Sequence, residues 1–214
     1  MDVFDGLLFD LDGTLWDSVD AICISWNRAL ERLAPEYAGT VTRARLLPCM
    51  GMLLPDILHR LVPELDQERM KPILEEVLVE ENAYVAAHGG VLYPEVEQTL
   101  AALSARCPLF LVSNCQDGYI QVLMKVCGLE ELIRDMECFG RTGRPKGDNI
   151  RLVTERNHLD RALYVGDTAM DQEAADKAGL PFVHASYGFG QAVEPAGVIG
   201  EMGELTELAK RILA

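Results

Sequence analysis

The chain has 214 residues, room for one domain or for a core domain with a modest insertion. With 49% hydrophobic and 25% charged residues its composition is that of a globular protein, which excludes disorder as the main state. Acidic residues number 34 against 19 basic, a formal charge of −15, and no run of Lys or Arg exceeds two, so nucleic acid is not an expected partner.

No stretch approaches the length of a membrane span, because Asp2, Asp5, Asp10 and Asp12 interrupt the apolar N-terminal run. That run lacks a basic leading region and a small-residue cleavage site, so it does not read as a signal peptide. Cysteines at 23, 49, 107, 115, 127 and 138 form no Cys-x-x-Cys pair and read as reduced, packed side chains. A cytoplasmic protein without membrane partners is the expectation.

The segment from Val3 to Asp10, VFDGLLFD, is mostly apolar, as a strand buried on both faces requires. Turn chemistry follows at Asp12-Gly13. From Asp17 to Leu33 the period becomes helical, with Ile22, Trp26, Ala29, Leu30 and Leu33 at three- and four-residue steps. Ser18 or Asp17 can cap this helix. Residues 40–87 read as helical throughout; Pro55 and Pro72 are placed to begin helices, and the acidic run with Glu75, Glu76, Glu80 and Glu81 reads as a solvated face. Gly89-Gly90 marks a hinge-like loop.

Beyond residue 94 the pattern alternates. Helices are expected near 95–105, 117–127, 147–157, 169–178 and 204–213, and strands at 108–114, 136–139, 161–167 and 181–185. Strands alternating with helices predict a doubly wound parallel sheet of the Rossmann-like α/β class. The all-helical block after the first strand reads as an inserted cap domain, giving a core of 1–15 with 88–214 and a cap of 16–87.

Ligands of such sheets gather at the carboxyl ends of the strands. There the sequence places Asp10-Leu-Asp12-Gly13-Thr14, Ser113-Asn114 and Gly166-Asp167-Thr168, with Asp171 one helical turn on and Lys146 in the loop Gly143-Arg-Pro-Lys146-Gly147. Crowded carboxylates repel one another and call for a hard cation with oxygen ligands, for which Asp10 and Asp167 are candidates and Mg²⁺ the natural ion. Lys146, Ser113 and Asn114 add positive charge and donors for an anion, and the backbone N–H groups of the Asp12–Thr14 turn can add more. A carboxylate nucleophile beside a metal and an anion clamp suggests an aspartyl-phosphate intermediate, with Asp12 as the acid for the leaving oxygen and then the base for water.

FDLDGTL, Ser113-Asn114, Lys146 and GDTAMD together resemble the four motifs of the haloacid dehalogenase-like superfamily, over 1–15 and about 88–214. The insertion resembles the helical cap of its phosphoglycolate phosphatase and phosphomutase branch. The resemblance implies Asp10 as nucleophile, Asp12 as general acid/base that also lends its backbone carbonyl to Mg²⁺, and Asp167 as a metal ligand. Asp171 would act on the metal through water or another ligand; Thr14, Ser113, Asn114 and Lys146 would bind the phosphoryl group. The expected activity is Mg²⁺-dependent hydrolysis of a small phosphorylated metabolite.

Two alternatives stand beside it. Mutases resembling β-phosphoglucomutase carry a histidine where this chain has Ile22, which weighs against isomerisation. A silent phosphometabolite-binding protein would have lost a motif residue, and none of the four motifs is substituted. The haloacid dehalogenases lack the second aspartate, whereas Asp12 is present. The third motif departs from Lys-Pro-x-Pro, reading Arg144-Pro145-Lys146-Gly147. Tyr93-Pro94-Glu95-Val96 stands where Tyr-Pro-Gly-Val is commoner, a local turn difference. Arg43, Arg45 and Arg60 are the basic residues of the first cap half, one of which could meet a substrate anion. Trp16 is expected to pack at the hinge, and Tyr187-Gly188-Phe189-Gly190 to form a structural loop.

Overall fold

A computed structural model describes residues 5–213. The chain enters β1 (Gly6–Phe9), then β2 (Trp16–Asp17), α1 (Val19–Leu33), α2 (Arg43–Leu46), α3 (Leu54–Leu61), α4 (Gln67–His88) and β3 (Val91–Leu92). It continues through α5 (Val96–Ser104), β4 (Leu109–Ser113), α6 (Tyr119–Cys127), β5 (Ile133–Cys138), α7 (Phe139–Thr142) and α8 (Lys146–Arg156). It closes with β6 (Ala162–Gly166), α9 (Ala169–Ala178), β7 (Phe182–Ala185), β8 (Gly197–Ile199) and α10 (Leu205–Leu213). Val3 and Phe4 of the expected first strand lie outside the described residues.

Six strands form one parallel sheet in the order β5-β4-β1-β6-β7-β8. Leu7 sits opposite Leu109 on one side and Leu163 on the other. Side chains alternate between the two faces, as the strand period of two dictates. Leu7, Phe9, Leu109, Leu111, Leu163 and Val165 join one buried cluster, whereas Leu8, Phe110, Val112 and Tyr164 join another. Both faces are covered by helices, so the strands are apolar in unbroken runs; burying each such leucine contributes about 1.5–3 kcal/mol.

The chain builds outward from β1 through β4 to β5, then returns to β6 and builds the other way through β7 to β8. The order therefore reverses between β1 and β6. This is the point where a crevice opens at the carboxyl ends of a doubly wound sheet.

The helices between β2 and β3 have an apolar cluster of their own, in which Trp26 and Leu30 of α1 meet Leu58 of α3 and Ile73 and Val77 of α4. Arg32 ties α1 to α4 on the outside through Glu76 (2.5 Å) and Glu80 (2.8 Å). The first turn of α1 is held by Asp17, whose Oδ1 accepts from the Val19 N–H at 3.0 Å; the Ser18 hydroxyl is turned instead to Asp12. Among the described residues no helix is long and apolar enough to cross a membrane.

Several local expectations are corrected. Pro72 lies inside α4, which starts at Gln67 behind the Asp66 cap; Asp66 Oδ1 accepts the Arg69 N–H at 2.8 Å. Pro55 does fall in the first turn of α3. Lys146 is the first residue of α8 and not part of a loop. The strands β2 and β3 pair antiparallel where the chain leaves and rejoins the core, with Trp16 opposite Leu92. These two strands and the edge strand β8 have no counterpart in the sequence reading.

Candidate active site

Asp10 follows β1 directly, its backbone N–H donating to Val165 O of β6 at 2.9 Å, so the sheet itself fixes it at the crevice. Lys146 Nζ is 2.6 Å from Asp10 Oδ1 and also bonds Asp171 Oδ1, with all three residues buried. Burial pushes the Asp10 carboxyl up to about 7, although Lys146 pulls the other way. Burial opposes the charge on Lys146, but Asp10 and Asp171 outweigh it and hold the ammonium well above the usual lysine range. Among the described residues Asp10 Oδ2 has no hydrogen-bond donor.

Asp167 sits at the end of β6. Its Oδ2 accepts the Phe189 N–H at 2.7 Å, and its Oδ1 faces the Thr14 hydroxyl at 3.4 Å. Burial, with Asp171 and Asp10 adding to it, pushes its carboxyl up to about 8. The close approach is made possible by Gly13, at φ +90°, where a Cβ would stand 2.2 Å from Asp167 Oδ2. On the other side Gly188 lies so near that its Cβ would be 2.3 Å from Gly13 O. The segment 187–190 thus packs directly on Gly13 and Asp167.

Asp171 is almost spent. Its Oδ2 accepts from the Thr168 hydroxyl (2.7 Å) and from the backbone N–H groups of Thr168 (3.0 Å) and Asp167 (3.2 Å). Thr168 and Asp171 form a capping box on α9, a motif worth about 1 kcal/mol. Asp171 thus braces the loop that carries Asp167 while neutralising Lys146.

Asp12 is held differently. Its Oδ1 accepts from Trp16 Nε1 at 2.9 Å, from the Tyr119 hydroxyl at 3.0 Å and from the Ser18 hydroxyl. Burial pushes its carboxyl up to about 6, against the pull of these donors. Oδ2 has no partner among the described residues. Trp16 is therefore more than hinge packing: it orients Asp12.

A cavity opens between the strand ends and the inserted helices. Asp10, Asp12, Ser113 and Asn114 line it from below, and Ile22, Trp26, Met52 and Glu81 from above. Thr14, Lys146 and Asp167 are buried and do not line it. Ser113 is buried at the tip of β4. The Asn114 amide donates to Gly51 O at 2.8 Å, which links the strand end to the insertion. Arg43 pairs with Asp17 and Asp20, and Arg45 donates to Thr40 O and Leu61 O, so neither faces the cavity.

Sequence reasoning passed over Gln116 and Tyr119, took Ser18 for a helix cap and took Glu81 for part of a solvated face. The last carried a signal. Ile73, Val77 and Val85 are buried at steps of four and eight along α4, and Glu81 occupies the four-residue step between Val77 and Val85. It is 3% exposed, not part of a solvated face, and accepts from Trp26 Nε1 and from Gln116 Nε2 (2.8 Å).

Oxygens of Asp10, Asp167 and Asp171 lie within 4.8 Å of one another. Three buried carboxylates stand against one ammonium, a donor set of hard oxygens that suits a divalent cation. Because Asp171 is saturated, Asp10 and Asp167 are the ones with capacity to spare. The Asp12 carboxylate lies outside this cluster.

A parallel doubly wound sheet with paired aspartates at its first strand end defines a class of α/β hydrolases. A family model described as haloacid dehalogenase-like hydrolase matches residues 7–185, and the chain belongs to that family. Phosphoglycolate phosphatase of Escherichia coli (strain K12) is 29% identical to this chain over 220 residues, covering 88% of the chain and 84% of that protein. A haloacid dehalogenase-like hydrolase from Streptococcus pneumoniae superposes with a TM-score of 0.83 at 19% identity, covering 96% and 98% of the two chains. CbbY from Rhodobacter sphaeroides, solved in complex with phosphate, gives 0.76 at 18% identity over 95% and 96%. Family and relatives together make the chain a phosphatase enzyme.

Proposed function

We propose that the chain hydrolyses a small phosphorylated metabolite through a phosphoryl group carried on Asp10, with Mg²⁺ as cofactor. The observation that carries this reading is the pairing at the cavity floor. Asp10 has one oxygen fixed by Lys146 and one free. Asp12 has one oxygen fixed by three donors and one free. Two neighbouring carboxylates with different environments suit different roles.

Asp10 Oδ2 attacks phosphorus, and the bond to the leaving oxygen breaks as the new P–O bond forms. Asp12, near pH 6, gives its proton to the departing alkoxide. Asp12 then takes a proton from water, the water oxygen attacks phosphorus, and the Asp10 carboxylate is regenerated with release of phosphate. Ser113 and the Asp12 N–H would hold phosphoryl oxygens, with Lys146 supplying positive charge behind Asp10; the Gly13 and Thr14 N–H groups, expected to help, donate instead to Trp16 O and Leu11 O. Asn114 adds a donor only if its bond to Gly51 opens. Asp10, Asp167 and the backbone carbonyl of Asp12 would hold Mg²⁺. When bound, the ion offsets carboxylate repulsion and polarises the phosphoryl group.

The organisation supports a core of 1–15 with 88–214 and a cap of 16–87, the antiparallel β2–β3 pair marking the joint. A cap seated over the site excludes water and selects the substrate. Six free thiols favour a reducing compartment, the cytoplasm. Ile22, in the cavity wall, offers no titratable group, which favours hydrolysis over a mutase of the β-phosphoglucomutase type. The test is phosphate release from phenyl phosphate with Mg²⁺ and with EDTA. Release should require the metal and fall by about 10³ or more in Asp10→Asn. Release that survives in that variant sinks the phosphoenzyme.

A further inference from the structure

The cavity above Asp12 has a charge pattern of its own. None of its lining residues is Lys, Arg or His. The carboxyl side chains facing it are those of Asp10, Asp12 and Glu81. Glu81 is buried on α4 among Ile73, Val77 and Val85, and it is bonded by Trp26 Nε1 and Gln116 Nε2.

Gln116 supplies a second, independent observation. Its Nε2 is pinned between Glu81 Oε1 at 2.8 Å and Asn82 Oδ1 at 3.1 Å, which fixes which end of the amide is which. Its Oε1 is left over, the sole buried side-chain polar atom without a partner among the described residues. Gln116 is 6% exposed and lines the cavity. A buried acceptor without a donor is costly and points to a ligand that supplies one.

We infer that the Glu81–Gln116 pair is the specificity element of this site and selects phosphomonoesters whose leaving group carries a hydroxyl or ammonium donor and no carboxylate. This rests on the phosphatase reading above. A donor on the leaving group satisfies Gln116 Oε1 and approaches the Glu81 carboxylate, while Trp26, Ile22 and Ile57 cover its carbon atoms. A carboxylate there offers no donor to Gln116 Oε1 and is buried beside the acidic groups of Asp12 and Glu81, with no cation to offset its desolvation. Arg60, exposed, touches the lining residue Met52 at its sulfur, at 4.0 Å, but does not itself line the cavity. The substrate named by the relatives, phosphoglycolate, is thus a poor fit for this chain.

The matched probes are 2-hydroxyethyl phosphate, 2-aminoethyl phosphate, ethyl phosphate and phosphoglycolate. They share a two-carbon ester and differ only in the terminal group. With saturating Mg²⁺, kcat/KM for the hydroxyl and amino esters is expected to exceed that for phosphoglycolate by about tenfold or more. Glu81→Gln should narrow that ratio to about threefold, while ethyl phosphate, which has no donor, moves less than that. Gln116→Met should lower the hydroxyl and amino esters, about tenfold, with ethyl phosphate little changed, and serves if Glu81→Gln does not fold. A merely structural role for the pair would move ethyl phosphate equally.

Phosphoglycolate turned over as well as or better than the hydroxyl ester overturns the inference and leaves the phosphatase standing. If Arg60→Gln then removes that preference, the carboxylate is read by Arg60. No release from any ester overturns the phosphatase reading instead. In that case calorimetric dissociation constants of the four compounds with the wild-type protein decide the selectivity, the hydroxyl ester binding tighter if the inference holds and phosphoglycolate tighter if it does not.

Discussion

The Tyr119 hydroxyl, at the start of α6, donates to Asp12 Oδ1 at 3.0 Å across 107 positions of chain. With Trp16 and Ser18 it occupies one Asp12 oxygen and leaves the other free, so the proton of Asp12 has a defined place. Tyr119→Phe removes a donor to the charged form and keeps the ring that meets Trp16 edge-on, with centroids 5.9 Å apart. The Asp12 carboxyl then rises above about 6. The limb of the kcat–pH profile that Asp12 governs should move to higher pH, with kcat reduced about tenfold. An unshifted profile would show that Asp12 does not set that limb.

Removing the Asp12 side chain altogether separates the two half-reactions. In Asp12→Ala the nucleophile and Lys146 are untouched, so an ester with a good leaving group can still transfer its phosphoryl group to Asp10. Hydrolysis of the phosphoenzyme then lacks its base. Acid-quenched protein should retain phosphate that wild type has released, and steady-state turnover should fall by about 10²–10⁴. Equal loss of both steps, with nothing trapped, would give Asp12 a different role.

Much of this site was legible because buried parallel strands announce themselves. Residues 7–9, 109–112 and 163–165 are unbroken apolar runs, and reading off the polar residue after each run returned Asp10, Ser113 and Asp167. Pairs that form only when distant segments meet were not legible. β2 and β3 are two residues each, too short to carry a period, and exist because Trp16 finds Leu92. β8 is an edge strand with Val198 exposed, so its pattern lacks the buried run. Glu81 was misread because it stands in an acidic run with Glu75, Glu76 and Glu80, all of which reach the surface at least in part, whereas its neighbours at helical spacing are apolar and buried.

The carboxylates of the crevice also tie stability to pH. Asp10, near 7, and Asp167, near 8, lie above their ordinary range of 3.8 because burial disfavours their charge. For groups raised in this sense, the contribution to stability is present below the unfolded value near 4 and is lost as pH rises through 6 to 8. Without metal, melting temperature should therefore fall from pH 6 to pH 8. Mg²⁺ competes with protons for the same oxygens, so the rise it produces in melting temperature should be larger at pH 8 than at pH 6. A rise independent of pH, or one retained in Asp167→Asn, would place the ion elsewhere.

Glu95 offers a stability test outside the chemistry. It precedes α5 with φ 64° and ψ 2°, a left-handed conformation that an L-residue with a Cβ adopts at a cost of about 1–2 kcal/mol. Its carbonyl accepts the Thr99 N–H at 2.9 Å, which fixes the backbone there whatever the side chain. Among the described residues its carboxylate makes no hydrogen bond or ion pair. The difference from the commoner Tyr-Pro-Gly-Val is thus a strained position and not a neutral turn. Glycine relieves the strain but brings back about 0.5–1 kcal/mol of unfolded-chain entropy, so Glu95→Gly should stabilise by up to about 1 kcal/mol. Denaturant titration reads this directly: a higher midpoint with the same slope and unchanged kcat is expected. A lower midpoint would mean that the Glu95 side chain contributes more to the native state than its backbone strain removes.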